Sequence, residues 1–403
     1  MPKHPRGNRK LIQAINRSAV LNTIKTYGPI SRTDIAKRTG LSAATVSGIT
    51  GGFIENGLIL EKETGDSRGG RRPILLVLNS SGGYVIGLKL TEQNVIGALT
   101  DLEATVIGKH TEALDDHSIE VAVETMTKVV NRLLAGGKIV DEQFLGVGVG
   151  LAGIIDARGG VLRYSPIFGW HDVPLADLLH DRLQVPVYID NDVNTLTITE
   201  QWFGKGQGVD NFLTITVGRG VGLGVVVNGQ IYHGGMGGAG EFGHTVIEPD
   251  GTLCGCGNRG CLETFVSDPA LLRMAMEAYR RGEFSYEVSS MDELLGLAEG
   301  GDPGARNVFA RAGEVLGRGV ANLINVLSPE LIIISGEGVR AGDLLFEPMR
   351  TSIAEHVMSD LAEDTQIQID IWDDDAWARG AAGLVLRRLF VSPISSEQLE
   401  IVV

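Results

Sequence analysis

The sequence lacks any hydrophobic run long enough to cross a membrane. Its longest uncharged apolar stretch, residues 144–155, has 12 residues and is interrupted by glycines, whereas a membrane-spanning helix needs about 20 apolar residues. Residues 1–10 are basic and lack the apolar segment of a signal peptide. These absences exclude a membrane-spanning protein, and we expect a cytoplasmic protein that binds no membrane.

The composition excludes extensive disorder. Hydrophobic residues make up 43% of the chain and charged residues 21%, which is the balance of an ordinary globular protein. The 403 residues are enough for two or three domains of about 150 residues each. Glycine is abundant, with 55 residues, as is common in α/β folds that bind ligands.

The net charge of −15 argues against nucleic-acid binding only if the charge is evenly spread, and it is not. Residues 1–80 contain 13 basic and 5 acidic residues, whereas the rest of the chain contains 22 basic and 45 acidic residues. Such a split indicates a nucleic-acid-binding module joined to an acidic remainder. The alternative is a solvated basic surface without a partner.

The first eighty residues have the pattern of a helix-turn-helix. Apolar residues recur at spacings of three and four over residues 11–27, which predicts an amphipathic helix that ends at Gly28. Ser31 and Ser42 are each suited to cap a further helix, and Gly40 lies in the short turn between these two helices. Two short helices joined in this way are typical of a unit whose second helix enters the DNA major groove, although any three-helix bundle gives a similar pattern.

The third predicted helix and the segment that follows it supply the candidate DNA contacts. Val46, Ile49 and Phe53 form its inward face, so the residues between them are available to reach bases or phosphates. Strand-like residues 58–60 and 74–78 flank a loop with several arginines, which predicts a wing suited to phosphates or to a narrow minor groove. The candidate DNA-binding residues are Arg32, Ser42, Ala43, Thr45, Ser47, Arg68, Arg71 and Arg72.

Two adjacent glycines, Gly51 and Gly52, interrupt the third predicted helix. Each glycine inside a helix costs about 1 kcal/mol relative to alanine. We therefore expect this helix to end early or to become regular only on DNA.

All three cysteines lie in one short segment, Cys254-Gly-Cys256-Gly-Asn-Arg-Gly-Cys261. In a cytoplasmic chain, such a cluster indicates a metal site rather than disulfides. His244 lies shortly upstream, and three cysteines with one histidine are an established tetrahedral zinc set. We predict a structural Zn²⁺ bound by His244, Cys254, Cys256 and Cys261, with buried cysteines that bind no metal as the alternative.

Four segments together resemble the ROK family of repressors and sugar kinases, and the N-terminal extension is similar to that of the family's xylose and N-acetylglucosamine repressors. The four segments are Gly70-Arg71-Arg72-Pro73, Asp190-Asn191-Asp192-Val-Asn194, Gly237-Gly-Ala-Gly-Glu241-Phe-Gly-His244 and Cys254-Gly-Cys256-Gly-Asn-Arg-Gly-Cys261-Leu-Glu263.

The resemblance implies an α/β fold with an N-terminal winged helix-turn-helix followed by a two-lobed, actin-like (ribonuclease-H-like) domain of the sugar-kinase type. The implied domains are residues 1–80 for DNA binding and residues 81–195 for the first lobe, which a C-terminal helix at about 376–403 completes. Residues 196–375 would form the second lobe with the zinc site.

The resemblance also implies a sugar site. The Asn-Asp pair that binds sugar hydroxyls and contains the general base in the family's kinases matches Asn191 and Asp192. The other sugar contacts of the family match Glu241, His244 and Glu263, with His244 also a zinc ligand. Carboxylates and an amide suit the hydroxyls of a sugar, and a metal fixes the loop that presents them. The chain departs from the family at Ile167, which stands where family members commonly have an asparagine that contacts the sugar.

The first phosphate-binding turn of the kinases is altered in this sequence. ROK kinases carry Asp-x-Gly-Gly-Thr at the position of residues 89–93, where this chain has Lys89 for the Asp and Thr91 and Glu92 for the glycines. A carboxylate at Glu92 would repel ATP, whose phosphates need positioned donors and a charge-compensating metal.

The other nucleotide segments are retained only in part. The second phosphate loop keeps Gly218 and Gly220 but has Arg219 where the kinases have a hydroxyl, and residues 334–338 are a partial match to the adenosine-side segment. We therefore expect no catalytic residue, with Asp192 a vestigial base.

These observations predict a repressor of genes for sugar uptake or catabolism. A homodimer or homotetramer would bind a palindromic operator, and a bound sugar would shift the population of its DNA-binding geometries. Two alternatives are an active ATP-dependent ROK sugar kinase with a DNA-binding extension and a regulator controlled by a protein partner instead of a sugar.

Overall fold

The structure is a computed structural model that describes residues 9–62, 73–358, 361, 364–372 and 375–390. It divides into two compact units, Met1–Thr195 with Trp377–Val403 and Leu196–Ala376. The chain therefore leaves the first unit once and returns to it once. Within the described ranges, none of the helices has the length and apolar character needed to cross a membrane.

The first unit begins with three helices, α1 (Arg9–Tyr27), α2 (Arg32–Thr39) and α3 (Ala43–Glu55). The Ser31 and Ser42 side chains accept hydrogen bonds from backbone N–H groups in the first turns of α2 and α3, as predicted. Gly40 ends α2 with a φ of +70°, a left-handed conformation that favours glycine. The predicted helix-turn-helix pattern is therefore present.

The expectation that α3 ends early is wrong, because the helix continues through Gly51 and Gly52 to Glu55. Val46 and Phe53 are buried on its inner face, and the Arg17 guanidinium lies 4.7 Å from the centre of the Phe53 ring. Tertiary packing on both sides of the glycines thus outweighs their low helix propensity.

A small antiparallel sheet follows the three helices. It consists of β1 (Ile30–Ser31), β2 (Ile59–Lys62) and β3 (Leu75–Leu78), with β3 in the centre. The β2–β3 pair corresponds to the predicted wing strands. Its connection, residues 63–72, lies outside the described residues, and so do the candidate DNA contacts Arg68, Arg71 and Arg72.

The rest of the first unit is built on a five-stranded sheet of order β11-β7-β4-β5-β6. Strand β5 is antiparallel to both β4 and β6, whereas β7 and β11 continue the sheet parallel to β4. Strands β8, β9 and β10 form a separate three-stranded sheet. The bounds are β4 (Tyr84–Leu90), β5 (Asn94–Asp101), β6 (Val106–Ala113), α4 (Ile119–Gly137), β7 (Phe144–Leu151), β8 (Ile154–Asp156), β9 (Val161–Ser165), β10 (Trp170–Val173), α5 (Leu175–Leu183), β11 (Val187–Asn191) and α6 (Asp192–Phe203).

The second unit repeats this arrangement with a sheet of order β14-β13-β12-β15-β16. Strands β12, β13 and β14 are antiparallel, and β15 and β16 are parallel to β12. Its core lies largely between this sheet and the helices, of which α10 is the longest described. The bounds are β12 (Phe212–Val217), β13 (Val221–Val227), β14 (Gln230–Ile231), α7 (Glu263–Val266), α8 (Asp268–Arg280), α9 (Met291–Glu299), α10 (Pro303–Leu327), β15 (Leu331–Ser335), α11 (Asp343–His356) and β16 (Gln366–Ile369). The repeated order of strands and helices confirms the predicted α/β class.

Helix α12 (Asp375–Phe390) returns the chain to the first unit and packs closely on its sheet. A Cβ atom added to Gly87 of β4 would lie 2.1 Å from the Ala378 carbonyl oxygen, and one added to Gly148 of β7 would lie 1.7 Å from that of Ala381. Only glycine at these two positions allows the helix backbone to lie so close to the strands.

Candidate functional site

The four predicted metal ligands come together in the second unit. One ligand atom from each of His244, Cys254, Cys256 and Cys261 lies within 4.8 Å of the other three. Short antiparallel bridges pair Val246 with Cys261 and Leu253 with Arg259, so that the cysteine segment folds back on itself.

Two of the distances between these ligand atoms are close to those of a tetrahedral metal site. His244 Nδ1 lies 3.5 Å from Cys254 Sγ, and Cys256 Sγ lies 3.6 Å from Cys261 Sγ. Zinc bound at its usual Zn–N and Zn–S distances separates its ligands by about 3.6 Å for an N–S pair and about 3.8 Å for an S–S pair. Soft thiolates with one imidazole are also the donor set that zinc prefers.

The three thiols differ in acidity. Burial raises the pKa of the Cys254 thiol, and it raises the pKa of Cys261 to about 12. The Asn258 backbone N–H lowers the pKa of the exposed Cys256 thiol. Buried thiols of this kind do not ionise readily, whereas a bound divalent metal would stabilise their thiolates.

The imidazole of His244 faces two different groups. Its Nδ1 lies beside Cys254 Sγ, and its Nε2 lies 3.8 Å from Glu241 Oε2. One ring nitrogen is therefore placed for the metal, while the other points toward a carboxylate that is half exposed. The sequence assigned a double role to His244, and this geometry is compatible with it.

Glu263, the first residue of α7, contacts the glycine-rich loop between β12 and β13. Its Oε2 accepts a hydrogen bond of 3.1 Å from the Val221 backbone N–H, and a Cβ atom added to Gly220 would lie 3.0 Å from the same oxygen. One oxygen of this predicted sugar ligand is therefore already bound to the loop.

Two more acidic residues contact the same loop, Glu337 through its side chain and Asp268 through its backbone. The sequence placed Glu337 in the partly matching segment 334–338 and gave no indication of Asp268. A Cβ atom added to Gly218 would lie 2.1 Å from Glu337 Oε2, and the Asp268 backbone N–H donates to the Gly218 carbonyl. Burial raises the pKa of the Asp268 carboxyl, Arg340 opposes that shift, and the charge of Glu337 adds to it. The Glu337 carboxylate therefore lies against Gly218, and the Asp268 carboxylate accepts a hydrogen bond of 2.8 Å from the Arg340 guanidinium.

The remaining predicted sugar ligands, Asn191 and Asp192, lie in the first unit at the junction of β11 and α6. Asn191 Nδ2 donates to the Gly153 carbonyl at 3.1 Å, and its Oδ1 accepts from the Val193 N–H at 2.8 Å. Asp192 Oδ1 also accepts from the Val193 N–H, at 3.0 Å. Both side chains are held in place by the local backbone.

Asp190 and Asn194 hold this junction in place through hydrogen bonds. The buried Asp190 carboxylate accepts hydrogen bonds from the Asn191 N–H at 2.8 Å and from Asn194 Nδ2 at 2.9 Å. Both residues belong to the motif that marked Asn191 and Asp192, but the sequence reading assigned them no role. The position of Asp190 near the end of a buried strand is the sequence feature that could have indicated this role.

The altered turn after β4 is a tight hairpin. Thr91 accepts a hydrogen bond from the Asn94 N–H through its hydroxyl, and the Thr91 N–H donates to the Asn94 carbonyl. The Lys89 ammonium lies 3.5 Å from the centre of the Trp377 ring of α12, within the range of a cation–π contact. Just before this turn, Lys89 therefore covers one face of the Trp377 ring.

The candidate DNA-binding residues differ in exposure. Ala43 and Ser47 of α3 are exposed, and Ser42 and Thr45 hydrogen-bond each other at 2.8 Å. Arg32 is engaged within the protein, since its guanidinium donates to Thr50 Oγ1 at 3.1 Å and to Glu61 Oε1 at 2.8 Å.

The repeated sheets and the cysteine segment define a member of the ROK family. The model of that family matches residues 95–388, and the chain belongs to it. A putative xylose repressor from Caldicellulosiruptor sp. (strain Rt8B.4) is 32% identical over 395 residues, which covers 96% of this chain and 99% of the relative. The DNA-binding transcriptional dual regulator NagC of Escherichia coli (strain K12) is 30% identical over 350 residues, with 86% of each chain covered.

Solved structures show the same relationship. A ROK family transcriptional regulator, described as a homologue of the E. coli MLC protein, matches with a TM-score of 0.86 and 27% identity over 94% of this chain and 97% of its own. A ROK family glucokinase from Streptomyces griseus, solved with glucose and AMPPNP, matches with a TM-score of 0.63 and 28% identity over 75% of this chain and 99% of its own. The predicted actin-like fold of the sugar-kinase type is confirmed, and the kinase leaves about a quarter of this chain unmatched.

Proposed function

We propose that this protein is a transcriptional repressor of genes for sugar uptake or catabolism and that a sugar controls its binding to operator DNA. The observation that carries the proposal is the similarity to repressors along nearly the whole chain, whereas the glucokinase match covers 75% of it. Such a repressor acts on the chromosome, and we therefore place it in the cytoplasm.

Helix α3 would enter the major groove of the operator. Its exposed Ala43 and Ser47 suit contact with thymine methyl groups and with base edges or phosphates. The β2–β3 wing would carry Arg68, Arg71 and Arg72 to phosphates or to the minor groove. Arg32, which bonds Glu61 and Thr50, would contribute by holding α2, α3 and the wing strand together, and a phosphate contact would require it to exchange a partner.

His244 and the three cysteines would hold a structural Zn²⁺. When bound, the metal supplies cross-links that fix the segment between Glu241 and Glu263. The fit of the N–S and S–S distances to tetrahedral coordination supports this assignment.

The effector sugar would be bound by Asn191, Asp192, Glu241, His244 and Glu263. These groups suit a sugar because the Asn191 amide can donate to and accept from its hydroxyls, and the carboxylates accept from them. Asp190 and Asn194 would position Asn191, as their hydrogen bonds indicate.

We propose that the domain does not transfer phosphate. In the first turn, Lys89 lies over the ring of Trp377 and Thr91 closes a hairpin, where a phosphate cradle would need open backbone N–H groups. At the second loop, Glu263 and Glu337 place carboxylates beside Gly220 and Gly218. An active sugar kinase is the second candidate, favoured only by the retained Gly218, Gly220 and Asp192.

Control by sugar would operate through an oligomer, either a homodimer or a homotetramer. Two α3 helices would bind successive major grooves of a palindromic operator. A tenfold release from DNA requires the sugar to favour the non-binding geometry by about 1.4 kcal/mol.

The test measures binding of the purified protein to the promoter of its own operon by gel shift, with and without xylose, glucose, N-acetylglucosamine and their phosphates. We expect specific binding that one of these sugars changes at least tenfold. The absence of specific DNA binding under every condition would refute the proposal. ATP-dependent formation of a sugar phosphate that the Asp192→Asn variant fails to make would instead support the kinase.

A further inference from the structure

Glu248 lies within the metal-binding segment, and its backbone contacts the residue before Cys261. The Glu248 N–H donates to the Gly260 carbonyl at 3.2 Å, and the Gly251 N–H donates to the Glu248 carbonyl at 2.8 Å. A Cβ atom added to Gly260, whose φ is +68°, would lie 1.5 Å from the Glu248 carbonyl oxygen. A displacement of Glu248 therefore moves the backbone that carries Cys261.

The Glu248 side chain points away from the metal ligands, toward α10. Its Oε1 accepts hydrogen bonds from Nη2 of Arg311 and, at 3.0 Å, from Nη2 of Arg318. The two arginines are seven residues apart, which places them on the same face of the helix two turns apart. The side chains of Arg318, Glu248 and Arg311 are 29%, 31% and 40% exposed, respectively.

Helix α10 is a firm support for this contact. Most of its inner face, from Ala305 to Ile324, is buried in the core of the second unit. A carboxylate held by two arginines on a rigid helix is a charge-assisted contact that fixes geometry, unlike a single exposed ion pair.

We infer that Glu248 is a positioning residue of the metal site. The Arg311–Glu248–Arg318 contact holds the cysteine segment against α10 and thereby keeps Cys261 at its distance from the other ligands. The inference rests on the proposed binding of zinc. Groups that orient a metal site from outside its ligand set typically change metal affinity about 10- to 100-fold when they are altered.

The experiment compares zinc release from the full-length wild type and from the Glu248→Gln variant. Both proteins are loaded with one Zn²⁺, and release is followed by the absorbance of 4-(2-pyridylazo)resorcinol. The expected result is release at least about tenfold faster from Glu248→Gln. The matched control is Glu347→Gln, because Glu347 bonds Arg350 on α11 at 2.7 Å and should leave the rate unchanged.

Cobalt spectra separate positioning from loss of the site. With Co²⁺ in place of zinc, the Glu248→Gln variant should keep the visible bands of a tetrahedral site with three thiolates, because every ligand remains. Release within twofold of the wild-type rate, or loss of those bands, would overturn the inference. A wild-type protein that binds no zinc would overturn the proposed metal site itself. If the wild type binds one zinc and Glu248→Gln releases it at the wild-type rate, only the role of Glu248 is overturned.

Discussion

The ammonium of Lys25 on α1 lies 5.2 Å from the centre of the Phe390 ring on α12. The first helix of the helix-turn-helix region therefore contacts the helix that packs on the five-stranded sheet of the same unit. On the same helix, the Arg388 guanidinium lies 5.0 Å from the centre of the Tyr188 ring on β11. Helix α12 thus contacts both α1 and the strand that ends at Asn191.

Burial of Lys25 makes stability depend on pH. Burial lowers the pKa of its ammonium from 10.5 to about 8. Between these values the unfolded chain binds the proton and the folded chain does not, so the free energy of unfolding should rise as the pH increases through this window. The cost of burying the charged form is fully present below pH 8.

The Lys25→Met variant should therefore be more stable than the wild type at pH 7, by about 1 to 3 kcal/mol. The difference should shrink toward pH 10. Urea unfolding of both proteins at pH 7, 8.5 and 10 measures it, with Lys37→Met as the control because Lys37 is 74% exposed. A difference between Lys25→Met and wild type that stays constant across this range would contradict the prediction.

Two glycines of the helix-turn-helix region separate the cost of a positive φ from the cost of a steric clash. A Cβ atom added to Gly51 or to Gly40 meets no atom within 4 Å, but only Gly40 has a positive φ, +70°. Gly51→Ala should stabilise α3 by about 0.5 to 1 kcal/mol, whereas Gly40→Ala should destabilise the region by about 1 kcal/mol. Thermal unfolding followed by circular dichroism distinguishes the two, and equal shifts of the same sign would refute this account.

Close packing of α12 on the sheet should make Gly148 intolerant of any side chain. A Cβ atom there would lie 1.7 Å from the Ala381 carbonyl oxygen, so Gly148→Ala should cost more than about 3 kcal/mol of stability. Gly136→Ala is the matched control, since Gly136 is in α4 with open space around it, and it should be neutral or slightly stabilising. Denaturant unfolding measures both, and a Gly148→Ala protein as stable as the wild type would be inconsistent with this packing.

Removal of one buried ligand should abolish the proposed zinc site. Cys261→Ser should lower the zinc content from about one to near zero per chain, because a structural site needs all four ligands. Elemental analysis of protein expressed with added zinc measures the content. A chelator should lower the melting temperature of the wild type but not that of Cys261→Ser. Full zinc content in Cys261→Ser would contradict the predicted ligand set.

The sequence predicted well the features that depend on neighbouring residues. The caps at Ser31 and Ser42 and the cysteine cluster follow from local spacing, and the structure has them where the sequence placed them. The course of α3 was predicted wrongly, because the packing of Phe53 under Arg17 is tertiary and leaves no trace in local propensity.

Contacts between distant segments could not be predicted from the sequence for the same reason. Glu248 hydrogen-bonds to arginines of α10, and Glu337 lies beside Gly218, yet nothing in the local sequence of either glutamate indicates these contacts. Asp190 is an intermediate case, since it lay within a recognised motif and only its buried hydrogen bonds reveal its part.

The return of the chain to the first unit at α12 has a consequence for gene expression. The strands that Gly87 and Gly148 belong to are translated long before the helix that covers them. A stop codon anywhere in the second unit would therefore release a polypeptide that contains the whole helix-turn-helix sequence but lacks the helix that covers the first sheet and contacts α1. Such a truncated product should be a substrate for proteases rather than a constitutive repressor.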